Sequence, residues 1–123
     1  MRRGVVFAVL AACVAPCARA ATYTLVCQGL GGESGYEEQF SAQVAAVRRA
    51  ALTLGTEAQL QVLAGRACTR EALATQFRRL DAQLTAEDRF ALYLVGHGSF
   101  DGDEYRFNMP GPDATGRELQ AWL

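Results

Sequence analysis

The amino-acid sequence predicts an α/β protein, a three-layer β-α-β-α-β unit with a parallel sheet between its helices. Three observations carry that expectation. Short apolar and β-branched runs alternate with segments of helical periodicity, and the connections between them are short. The last run, Arg89–Val95, is almost continuously apolar, as a strand covered on both faces is. Alternation of this kind favours right-handed crossovers that place helices on the faces of a parallel sheet.

Each element follows from local chemistry. Thr22–Cys27 is a β-branched, apolar strand that leaves into Gly29-Leu30-Gly31-Gly32. From Glu37 to Leu54 the apolar positions Phe40, Val44, Val47 and Ala51 recur at helical spacing. Glu37 and Glu38 suit the start of that helix, where its dipole favours anions, and Gly55 suits its stop. Gln59–Leu63 reads as a second strand. Thr69 is an N-cap for a second helix carrying Leu73, Phe77, Leu80 and Leu84 on one face. Arg89–Val95 is the third strand, and its apolar character predicts the central place in the sheet. Asn108–Pro112 is a rigid turn segment. Thr115 with Glu118 forms a capping box that opens a last helix through Leu119 and Trp122.

The first twenty residues stand apart. Arg2 and Arg3 precede an apolar run from Gly4 to Ala15, Pro16 breaks it, and Ala18-Arg19-Ala20 supplies the small residues of a cleavage site. The run is too short to span a bilayer, which needs about 20 apolar residues. Residues 1–20 are therefore expected to be a secretory signal peptide cut between Ala20 and Ala21. In the alternative, Leu10-Ala11-Ala12-Cys13 is a lipoprotein box, and membrane attachment is then through lipid on Cys13. Either route predicts export, to the periplasm or the medium.

The processed domain, residues 21–123, keeps nine arginines against thirteen acidic residues, a net charge of −4, and two of the four cysteines. All basic residues are arginines, and they are scattered. Nothing in that pattern follows a phosphate backbone, which excludes nucleic acid as the expected partner. No cofactor or metal motif stands in the chain.

Parallel strands bring their exits to one edge, and ligands of open α/β sheets bind outside that carboxyl edge. Here it comprises the Gly29 loop, the Ala64–Cys68 loop and Gly96-His97-Gly98. His97, the only histidine, follows the most apolar strand and is flanked by glycines. An imidazole serves as acid or base near neutrality, and glycine lets a backbone N–H face a site.

Phe90-Ala91-Leu92-Tyr93-Leu94-Val95-Gly96-His97-Gly98, behind strand–helix–strand–helix, resembles the N-terminal half of the caspase/legumain-like cysteine peptidases. The resemblance spans about residues 22–123. It implies a caspase-like fold, a catalytic role for His97, an oxyanion-stabilising role for the Gly98 amide, and a peptide or protein substrate. It also implies a catalytic cysteine after the following strand. The 26 residues beyond His97 contain none, so the expected domain is incomplete on its C-terminal side and inactive as it stands.

Two further readings stand beside it: a non-catalytic caspase-like pseudoenzyme or peptide-binding module, and an α/β-hydrolase piece whose His-Gly pair builds an oxyanion hole. The hydrolase reading lacks its Gly-x-Ser-x-Gly elbow. The acidic stretch Asp101, Asp103 and Glu104 is either a solvated loop, a selector for a basic substrate side chain or a Ca²⁺ loop. A Ca²⁺ loop spreads its ligands over about twelve residues, which these do not.

Cys27 and Cys68 are expected to pair in an oxidising compartment. Closing their 41-residue loop would stabilise by about 4 kcal/mol in the chain-entropy model. Finally, an apolar strand with no successor to cover its outer edge predicts self-association.

Overall fold

A computed structural model of the protein describes residues 19–123. Most of the expected signal segment, with Cys13 and Cys17, lies outside the described residues. Strand β1 (Thr22–Gln28) is followed by helix α1 (Ser34–Leu54), strand β2 (Leu60–Leu63), helix α2 (Arg70–Gln83) and strand β3 (Arg89–Val95). These three strands form a parallel sheet in the order β2-β1-β3, with Cys27 level with Leu63 on one side and Leu94 on the other. The β-α-β-α-β order and the parallel sheet between helices are as the sequence predicts.

The central strand is different. It is β1, where Leu25, Val26 and Cys27 are fully buried, and not the more apolar β3, where Tyr93 and Leu94 are exposed. The reason is that apolar content reports how well the two faces of a strand are covered. It carries no information about whether a neighbour lies along each edge.

Residues level with one another in a parallel sheet share a face. Leu25 and Cys27 join Leu63, Cys68, Leu73 and Phe77 in the core on the α2 face, with Phe90 and Leu92 packed beside them. On the opposite face the buried Phe40 and Val44 of α1 lie over the sheet, and Gln28 Nε2 donates to Ser41 Oγ at 3.1 Å. Burying each apolar side chain fully contributes about 1.5–3 kcal/mol, so the α2-face cluster is the main source of stability.

Caps act where the sequence places them. Thr69 Oγ1 accepts from the Ala72 N–H at 3.1 Å and starts α2. Thr115 and Glu118 form the reciprocal capping box of helix α3 (Gly116–Trp122). Helix α1 begins three residues earlier than Glu37, and the Glu37 carboxylate accepts from the Gly31 N–H at 2.7 Å in the preceding loop.

Between β3 and α3 lies a second sheet that the sequence does not predict. It is antiparallel, in the order β4 (Gly98–Phe100), β5 (Tyr105–Phe107), β6 (Ala114–Thr115). The first turn contains Asp101-Gly102, with Gly102 at φ +98°, a backbone that side-chain-bearing residues rarely adopt. Phe107, Met109 and Ala114 from this segment close the α2-face core. None of the described helices is long and apolar enough to cross a membrane.

Candidate functional site at the carboxyl edge

The site is built by the exits of β1 and β3 and the end of β5. The Gly29 N–H donates to the Val95 carbonyl at 2.9 Å, and the Leu30 N–H to the Asn108 carbonyl at 3.1 Å. Asn108 in turn donates its N–H to the His97 carbonyl at 3.0 Å. The glycines make this crossing of three backbones feasible. A Cβ on Gly96 would stand 2.9 Å from Phe107 Cε2 and 3.1 Å from Gly29 Cα, and one on Gly29 only 2.5 Å from the Asn108 carbonyl oxygen. Gly96 therefore packs chain against chain, while the anticipated approach to a ligand falls to Gly98, which is exposed.

His97 is half-buried on the α1 face. Its ring meets Tyr36 at 4.7 Å and Phe40 at 5.1 Å between centroids, edge-on to both. Such contacts contribute roughly 0.5–1.5 kcal/mol each beyond simple burial and fix the plane of the imidazole. Neither aromatic partner could be found from sequence spacing, because α1 reaches His97 only through the fold.

The Gly98 amide is free of its own sheet. The Asn108 N–H to His97 carbonyl bond makes Gly98–Phe107 a non-hydrogen-bonded pair of the antiparallel ladder. The Gly98 N–H consequently points away from β5, on the open side of an edge strand. Close by, Asn108 Oδ1 is buried without a hydrogen-bond partner.

The acidic residues sit at the far end of the β4–β5 hairpin, about 13 Å along the strands from His97 at ~3.3 Å per residue. Asp101 accepts from the N–H groups of Asp103 and Glu104, each at 3.0 Å, and from Arg106 at 2.7 Å. Those bonds, the Glu104 N–H foremost, hold its carboxyl below the usual range. Arg117 pairs with Asp103 at 2.9 Å, and its N–H reaches Glu104 at 3.1 Å. The three carboxylates are brought together, but on the protein's own arginines. No group of His, Cys, Asp and Glu suited to a metal ion occurs among the described residues.

Cys27 and Cys68 are fully buried and unbonded, with their thiols in hydrogen-bond contact. That contact, then burial, pushes the Cys27 thiol far up, and the same contact draws the Cys68 thiol down. Cys27 belongs to the α2-face core whereas His97 lies against α1. The sheet separates them, so Cys27 is no nucleophile for His97.

Fold and site together define an α/β protein with a β2-β1-β3 parallel sheet, flanking helices, a small antiparallel sheet and a histidine at the carboxyl edge. No family model, curated protein or solved structure matches the chain.

Proposed function

We propose that residues 21–123 are the histidine-bearing half of an exported cysteine peptidase of the caspase/legumain type. The observation that carries this reading is the pairing of an oriented imidazole with an unengaged backbone N–H one residue on, at the carboxyl edge of a parallel sheet. His97 acts as the acid/base that takes a proton from an attacking thiol and returns it to the leaving amine. The Gly98 N–H donates to the oxygen that becomes negative in the tetrahedral intermediate. The thiol is supplied from outside these residues, since none follows His97 and Cys27 lies across the sheet.

In this reading Asp101, Asp103 and Glu104 receive a basic substrate side chain only by exchange with Arg106 and Arg117. Cys27 and Cys68, already in contact, form a disulfide after export. No cofactor is required.

A second reading is favoured by the place of β4 at the edge of its sheet, with the Gly98 N–H facing outward. The same edge binds an extended peptide without cleaving it. The coding DNA beyond codon 123 separates the two. An in-frame apolar run ending in Cys supports the peptidase, and Ser or Ala at that place supports the binding module.

A further inference from the structure

The cleavage site expected from Ala18-Arg19-Ala20 coincides with the point where the fold takes hold of the chain. Arg19 and Ala20 are exposed and lie outside the strand, whereas Ala21 is half-buried and tied at both of its backbone groups. Its carbonyl accepts from the Arg89 N–H at 2.8 Å, and its N–H donates to Asp88 Oδ1 at 2.8 Å. We infer that Asp88 is the built acceptor for the N-terminus that cleavage after Ala20 creates, the Ala21 ammonium and the Asp88 carboxylate forming an ion pair that clips β1 to β3. The inference rests on the expected cleavage and is independent of the catalytic reading.

The carboxylate is held ready for that partner. Asp88 closes the turn between α2 and β3, where its N–H donates to the Thr85 carbonyl at 3.1 Å. Its Oδ2 accepts from the Thr85 N–H at 2.8 Å and from Thr85 Oγ1 at 3.0 Å. These bonds fix the side chain and leave Oδ1 to Ala21. The Thr85 N–H first, and the Ala21 N–H after it, hold the Asp88 carboxyl below its ordinary range. The group is therefore charged wherever an amine titrates.

No arginine among the described residues forms an ion pair with Asp88. Glu87 and Arg89 flank it in the chain. On the β2 side of β1, Glu57 is engaged by Arg48 at 2.7 Å. The new ammonium supplies the cation that the Asp88 carboxylate lacks.

Cleavage changes the chemistry of one nitrogen. Before it, Ala21 offers a single neutral N–H; after it, the same atom carries a positive charge and three donors. A charge-assisted hydrogen bond is roughly twice as strong as a neutral one. The cut falls in exposed chain, where proteolysis acts most readily, and leaves the Ala21 carbonyl on Arg89. Strand β3 leads at its other end to His97, so the clip holds the strand that carries the candidate site. With lipid on Cys13 instead, Ala21 stays an amide and the clip gains no charge.

The chain contains no lysine, so the Ala21 α-amino group is the one amine of the processed protein, and an acylating reagent reports on it alone. The test expresses the full chain with export, weighs the recovered protein by mass spectrometry, and measures its acylation rate near the pH of about 7.7–8.0 at which an exposed terminus titrates. The expected mass is that of a chain starting at Ala21. Pairing with an anion favours the protonated amine, so the folded parent should react about two- to fivefold more slowly than Asp88→Asn. Glu87→Gln should react like the parent, and in urea all three should react alike. The parent alone gives a second reading, since its rate should rise by the same factor on unfolding. Equal folded rates for parent and Asp88→Asn, an equal gain in Glu87→Gln, or a parent rate unchanged by urea would overturn the acceptor while leaving the cleavage intact. A start at any other residue, or lipid on Cys13, would overturn the proposal through the cleavage itself.

Discussion

His97 illustrates how much of a residue's role depends on its neighbours. Its position after an apolar strand is legible in the sequence, but its orientation comes from Tyr36 and Phe40 on a helix some sixty positions earlier. Replacing it by Ala removes two edge-on contacts, and equilibrium urea unfolding is expected to show a loss of roughly 1–2 kcal/mol. His97→Phe should recover most of that stability, since packing survives while acid/base chemistry does not. Gly96 is a sharper case. Gly96→Ala drives a methyl into Phe107 and Gly29 and should cost about 1–3 kcal/mol. Gly35→Ala has open space around it in the first turn of α1 and should be neutral or stabilising by up to about 1 kcal/mol. Comparable losses at both glycines would contradict the packing described.

The elements differ in how well the sequence announces them. Helices α1 and α2 and the three parallel strands are legible through their periodicity, and α2 also through its Thr69 cap, whereas no side-chain cap marks the start of α1. The antiparallel hairpin is signalled only by Asp101-Gly102 between Gly98-Ser99-Phe100 and Tyr105-Arg106-Phe107, and its strands are too short for periodicity to register. Arg117, which neutralises the hairpin turn, lies thirteen positions beyond Glu104, and no spacing rule predicts that pairing.

The turn carries a pH prediction. Hydrogen bonds lower the Asp101 carboxyl below its ordinary value, so the ordering it confers is present above the usual carboxylate range and lost as pH falls through its depressed value. Amide resonances of Asp103 and Glu104 should shift together in that acid window, and Asp101→Asn should abolish the transition. Asp88 behaves alike: its carboxylate accepts from Thr85 and Ala21. Cleavage after Ala20 would turn that Ala21 N–H into an ammonium group facing Asp88.

For the whole molecule, the largest structural consequence follows from two cysteines that are far apart in sequence and adjacent in the fold. If the chain is exported as proposed, oxidation of Cys27 and Cys68, free thiols here, would tie β1 to the turn before α2. The oxidised chain should exceed the reduced one by about 4 kcal/mol, less any strain. Alkylation under denaturing, non-reducing conditions should find no free thiol in protein recovered from an oxidising compartment, and two free thiols would contradict the pairing. The purified chain should show no peptidase turnover, because among the described residues no thiol shares a face with His97. Turnover abolished by iodoacetamide would contradict that.

What the sequence could not disclose is the order of the strands. The apolar strand carrying His97 lies at the edge of the sheet while β1 takes the centre, because edge coverage depends on which partners arrive. The proposed function rests on the carboxyl edge all the same. The most direct measurement is an NMR titration of the purified chain with blocked tripeptide amides. It would follow the single imidazole of His97 and the amide of Gly98. Both signals are expected to move together and saturably. Peptide-induced shifts confined to the α2–α3 groove, or none at all, with His97 and Gly98 unmoved, would contradict it.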